Sequence, residues 1–166
     1  MHFKYFKLFC FILTLGMLSV VSCQEDEECT PDTCSNGSCS TGSCVCSFGY
    51  EGSECNIEQR AKFIGGFTYS ENCTGKIFNY ISSIRSGNSS IDEVIIADFY
   101  ALPNTEISAI VYGQSITIAE QTITHDGGQY TFQGSGSING KTLTLSYTVI
   151  EPDNTQKSCT STGVKP

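Results

Sequence analysis

The side chains best suited to chemistry in this 166-residue sequence are its ten cysteines, and their spacing is uneven. Cys10 lies in an apolar run, and Cys23 follows that run and precedes the acidic stretch "QEDEE". Six more, Cys29, Cys34, Cys39, Cys44, Cys46 and Cys55, crowd into 27 residues with four, four, four, one and eight residues between them. Cys73 and Cys159 stand apart. Zinc binding by the crowded set would ordinarily use a Cys-x-x-Cys pair or histidines, and the segment has neither. Disulfide pairing in an oxidising compartment is the expectation, for which six cysteines allow 15 connectivities.

The amino-terminal residues supply the route to that compartment. "MHFKYFK" carries two lysines, and Leu8 to Val21 is apolar except at Thr14, Gly16 and Ser19, so residues 1–22 have the layout of a secretory signal. The run is short for a span that needs about 20 apolar residues. Removal of the signal takes Cys10 with it and leaves nine cysteines, an odd number, so one has a role other than an internal bridge. An ordinary peptidase site would leave Cys23 as a terminal thiol, or as an intermolecular one in a secreted eukaryotic protein with sequons at Asn36, Asn72 and Asn88. Modifying Cys23 leaves eight cysteines that can all pair.

"VVSC", Val20 to Cys23, resembles the lipobox of bacterial lipoproteins. The resemblance implies a diacylglyceryl group on the Cys23 sulfur, cleavage just before it and acylation, for instance with palmitate, of the new amino terminus. The acids after it resemble the export signal of surface lipoproteins in the Bacteroidetes phylum, which implies an outer-membrane protein exposed at the cell surface. Residues 23–28 then form a lipidated acidic tether, whose acids would be solvated in any case. Each buried methylene contributes about 0.8 kcal/mol, so two or three acyl chains hold where one is marginal.

Residues 29–55 contain too few large aliphatics to bury a core and must be stapled covalently. The segment ends "CVCSFGYEGSEC", in which Cys44, Cys46, Gly49, Tyr50, Gly52 and Cys55 resemble the close of an EGF-like domain. That resemblance implies pairing of Cys29 with Cys39, Cys34 with Cys44, and Cys46 with Cys55. Calcium-binding members carry Asp or Asn at set places, which "EDEE" meets in part and "STGS" does not. No cofactor or metal is expected.

Asn56 to Lys62 reads as a polar linker, and residues 63–166 are long enough for one sizeable core. Their pattern is β. "TLTLSYTVI", Thr142 to Ile150, alternates Leu143, Leu145, Tyr147 and Val149 with hydroxyl residues, and "SITIA" and "QTITH" do the same. Turn residues recur through the domain, with Asn139-Gly140 the best hairpin signal. The predicted strands are Ile64–Tyr69, Ile77–Ile84, Glu93–Phe99, Ile107–Tyr112, Ser115–Ile118, Gln121–Thr124, Tyr130–Ile138, Lys141–Ile150 and Lys157–Thr160. The fold class is therefore all-β: a small disulfide-rich module followed by an antiparallel meander that forms a barrel or sandwich. The domain loosely resembles lipocalin-like β-domains, without their signature motif. If its ends meet, Cys73 and Cys159 are neighbours, and a bridge closing so long a loop contributes about 4–5 kcal/mol.

Catalytic candidates are few. His125, the single histidine after the signal, sits beside Asp126 in "THDGGQ", where a turn role outweighs a triad. Asp92 with Glu93, Asp98, Glu106 and Glu120 could act in pairs as carboxylates do in glycosidases, but each falls at a strand end or in a turn. Beyond residue 22 there are seven basic and seventeen acidic side chains, a net charge of −10, which argues against nucleic acid as a partner. The expected function is non-enzymatic: a lipid-anchored surface protein that meets the membrane through acyl chains on Cys23 and binds a protein or glycan. Carriage of a small apolar ligand in the barrel is the alternative.

Overall fold

The computed structural model describes residues 29–30 and 32–166. The signal segment, Cys23 and the acidic tether lie outside the described residues.

The first module is built from short pieces. β1 (Gly37–Ser40) and β2 (Ser43–Cys46) form a hairpin, and β3 (Tyr50–Glu51) pairs with β4 (Ile57–Glu58). Disulfides join Cys29 to Cys39, Cys34 to Cys44 and Cys46 to Cys55. Cys34 and Cys55 are the module's buried apolar residues, so bridges take the place of a core.

Residues 56–62, read as a linker, are ordered by pairing and packing. After β4 a single 3-10 turn, Gln59–Lys62, brings Phe63 into the barrel core, where it is fully buried.

Eight antiparallel strands then close into a barrel in simple meander order: β5 (Gly65–Cys73), β6 (Lys76–Ser86), β7 (Glu93–Ala97), β8 (Glu106–Tyr112), β9 (Ser115–His125), β10 (Gly128–Asn139), β11 (Thr142–Ile150) and β12 (Gln156–Val164). The seam is β12 against β5, where Cys159 lies directly opposite Cys73 and the two are bridged. Closure gives every strand two partners and leaves no edge to aggregate.

Strand bounds differ from the sequence reading in three informative ways. Ser115–Ile118 and Gln121–Thr124 are one strand, bent where the register shifts so that Ala119 and Glu120 together oppose Gln133. Such a bulge bends a strand and sharpens its twist without ending it. β7 stops before Phe99 because Asp98 is left-handed, at φ 53°. β5 and β12 run on to Cys73 and Val164, because closure pairs Thr68–Cys73 of one with Cys159–Val164 of the other.

Inward positions alternate as the pleat requires. Phe67, Tyr69, Phe132, Leu143, Leu145 and Val149 are at most 1% exposed and fill the interior. Inward glycines make room for the largest of them. A Cβ on Gly134 would come within 2.3 Å of Tyr147 Cβ, and one on Gly163 within 2.5 Å of the Tyr69 ring. Gly134 and Gly136 of "GSGSING" therefore serve packing, while Gly140, at φ 57° with open space beside it, serves the hairpin turn.

The module abuts one end of the barrel. Arg60 donates from Nη1 to the carbonyls of Gly87, Ser90 and Glu93 at 3.0–3.2 Å, while its Nε donates to Glu58 at 2.8 Å. Gly49 packs on Ile91 with no room for a Cβ, and Phe48 stacks on Tyr112 at 6.4 Å. Because the module occupies this end, the opposite end and the barrel wall are the surfaces left for function.

Candidate functional site

The acids singled out from the sequence are not brought together into a reaction centre. Glu93 accepts a hydrogen bond from the Ser89 amide at 2.8 Å, and Asp98 accepts one from Asn104 at 2.7 Å. Glu106 pairs with Arg85 in the open, and Glu120 sits exposed on the bulge. Asp92 is buried at the start of β7. His125 ends β9, with Nε2 3.3 Å from the exposed Asp126 and its ring edge-on to Tyr130. These are turn and strand-end roles.

A different acid is buried. Glu71 points inward from β5, is 0% exposed and faces Ser161 across the seam. Tyr80 donates to its Oε2 at 2.7 Å, Tyr147 donates to Oε1, and the Cys73 sulfur lies 3.1 Å from Oε1. Burial raises the Glu71 carboxyl to about 7, against an opposing hydrogen bond from Tyr80. Burial first, and then the Glu71 charge, pushes the Tyr69 and Tyr80 hydroxyls upward as well. The Tyr69 hydroxyl is buried with no hydrogen-bond partner. Sequence reasoning missed Glu71 because it ended the strand at Tyr69. The signal was present: Phe67, Tyr69, Glu71 and Cys73 share one parity, and a half-cystine at the seam extends the strand.

Above this group the Phe99–Ala101 turn closes the barrel end away from the module. Phe99 is fully buried, 5.3 Å from Phe132 and 4.8 Å from Tyr147 between ring centres. Tyr100 packs edge-on to Phe78 and donates to Glu151 at 2.9 Å, and Lys157 pairs with the same Glu151. Tyr100 and Ala101 both hold φ near the left-handed region, at 59° and 55°. Such backbone costs about 1–3 kcal/mol per residue, and here the buried rings and the Glu151 hydrogen bond hold it in place.

An open site lies outside the barrel. A groove of about 850 Å³ crosses β9 to β12 and reaches the β5–β6 turn. Its first row is in register across five strands: Thr117, Ser135, Ser146, Thr160 and Asn72 are successive cross-strand partners. A second row runs Gln133, Thr148 and Ser158. The β9 bulge opposite Gln133 and the small side chains Ser135 and Ser146 at the centre make the surface concave.

No charged residue lines the groove. None stands at an outward position of β5, β10, β11 or β12. The other wall differs: β6 to β8 present Arg85, Glu93 and Glu106, with Ile77 and Ile81 72% and 75% exposed. Alternation in the sequence shows the hydroxyl residues strand by strand, but only register assembles them into rows.

Among the described residues two clusters have metal-ligand elements, Cys29 with Cys34 and Cys44, and Glu71 with Cys73 and Cys159. Every cysteine in both is disulfide-bonded and has no thiolate to offer. Comparison of the chain with protein-family models and with curated proteins gave no match.

Proposed function

We propose that this chain is a non-enzymatic lipoprotein, held at the outer face of an outer membrane by acyl chains on Cys23, that binds a protein or glycan partner through the outside of its barrel. The observation that carries the binding reading is the groove across β9 to β12, a concave hydrogen-bonding surface lined by no charged side chain, with Glu120 on the β9 bulge at its margin. The EGF-like reading of residues 29–55 makes that module a spacer, seated on the barrel through Gly49 against Ile91 and Phe48 against Tyr112, with Arg60 hydrogen-bonded to the β6–β7 loop. Aromatic and aliphatic side chains fill the barrel, which supports binding on the wall over carriage of a small apolar ligand inside.

The anchor is tested by the intact mass of the purified mature protein. A diacylglyceryl cysteine at position 23 supports it, and an unmodified amino terminus overturns it in favour of a secreted protein. The binding reading is tested by adhesion of cells that display the protein to surfaces coated with polysaccharides or with proteins. Adhesion equal to that of cells lacking the protein would overturn it, and an apolar compound extracted in stoichiometric amount from the purified protein would restore the carrier.

A further inference from the structure

We infer that the groove is a binding site for a neutral polysaccharide, a proposal that rests on the surface-binding reading above and specifies its ligand class. Serine and threonine hydroxyls both donate and accept, and so do the hydroxyls of a sugar, so rows of one can satisfy rows of the other without a fixed polarity. Asn72 and Gln133 add amide groups that do both at once. The row from Thr117 to Asn72 crosses four strand spacings, about 19 Å at the usual 4.8 Å separation, which suits an extended oligomer better than a single small molecule.

Charge selects among polymers. An anionic chain would find no counter-charge along the groove and would approach a protein of net charge −10 beyond the signal. A neutral polyol meets neither penalty. Protein partners are usually anchored by tryptophan, tyrosine or arginine, and no outward position of β5, β10, β11 or β12 carries one. The most exposed apolar side chains, Tyr112, Ile77 and Ile81, stand on β6 and β8, with Ile77 next to Asn72 at the end of the row, while the hydroxyl wall exposes only Ile150 and Val164, at 38% and 47%, near its strand ends. The two walls are thus chemically distinct, and the hydroxyl wall matches a glycan.

The test is affinity electrophoresis of the purified protein in native gels that contain mannan, a soluble β-glucan or, for comparison, dextran sulfate. At least one neutral polymer is expected to retard the protein, and dextran sulfate is not. Combined Ser135→Ala, Ser146→Ala and Thr160→Ala removes hydroxyls from exposed positions, and three lost hydrogen bonds of about 0.5–1.5 kcal/mol weaken retardation roughly tenfold or more. Ser83→Ala, outward on β6, should leave it unchanged. Ser146→Arg, which fills the groove, should abolish it. Retardation by none of the neutral polymers, stronger retardation by dextran sulfate, or retardation insensitive to the triple substitution would each overturn the inference. If displaying cells adhere to protein-coated surfaces and to no polysaccharide, the ligand class falls while the surface-binding function stands.

Discussion

The disulfide module and the barrel reach stability by opposite means. Among its described residues the module has three bridges and two buried apolar side chains, both of them cysteines. The barrel has one bridge and a core running from Phe63 to Cys159. The module is stabilised mostly by limiting the freedom of its unfolded chain, and the barrel by removing apolar surface from water. The contrast explains where function can sit. A module held by staples has few buried groups to tune, whereas the barrel has an interior that holds the Glu71 carboxyl group among tyrosines and a wall wide enough for a groove.

The sharpest way to break the comparison is to remove a staple. Combined Cys46→Ser and Cys55→Ser deletes a bridge expected to contribute about 2–5 kcal/mol in a small domain, and the module should unfold while the barrel persists. Amide NMR resonances of residues 29–55 would lose dispersion, and those of β5 to β12 would keep it. Retained dispersion in the module would show a core that the burial pattern lacks.

The converse is a cavity in the barrel. Phe132→Ala removes a fully buried ring that contacts Phe99, Tyr100 and Tyr147, and loss of such a ring costs about 3–5 kcal/mol. Thermal unfolding followed by circular dichroism should show the barrel melting earlier, with the module's disulfides intact.

Glu71 sharpens the comparison through pH. Its carboxyl binds a proton more tightly in the folded barrel, at about 7, than at its ordinary value of 4.5. Its contribution to stability is therefore complete below about pH 4.5, falls as pH rises through 7, and is absent above. Glu71→Gln keeps the shape, offers an oxygen to one tyrosine and an NH2 donor to the hydroxyl oxygen of the other, as a protonated carboxyl does, and does not titrate. The difference in denaturant-derived stability between variant and wild type should grow from pH 4.5 to 8 in the variant's favour, reaching at most about 3 kcal/mol. A flat difference would mean that the carboxyl is solvated.

The smallest effect concerns the joint. Arg60→Met leaves the carbonyls of Gly87, Ser90 and Glu93 without that donor, a loss of about 1–3 kcal/mol. Faster hydrogen exchange in residues 87–93, with β10 and β11 unchanged, is the expected readout.

Much of this was legible in the residues. The alternation of "TLTLSYTVI" and the recurrent turns identified an all-β meander that could form a barrel or a sandwich, and the structure selects the closed barrel with a seam between its first and last strands. The bulge at Ala119 and Glu120 was misread as a break between two strands, because a bulge interrupts alternation locally just as a turn does. Glu71 escaped because an acid beside Asn72 looks like the end of a strand when the partner that buries it lies ninety residues along, at Ser161.

By itself the sequence determined what is local or covalent: the crowded cysteines that must replace a core, the inward and outward parity of the strands, and the position of Cys23 between an apolar run and acids. Tertiary structure alone decided what depends on register. A one-residue slip between strands exchanges the faces of a sheet. Thus only the closed barrel could place Glu71 among tyrosines, set Cys73 opposite Cys159, and line up Thr117, Ser135, Ser146, Thr160 and Asn72 as a single row.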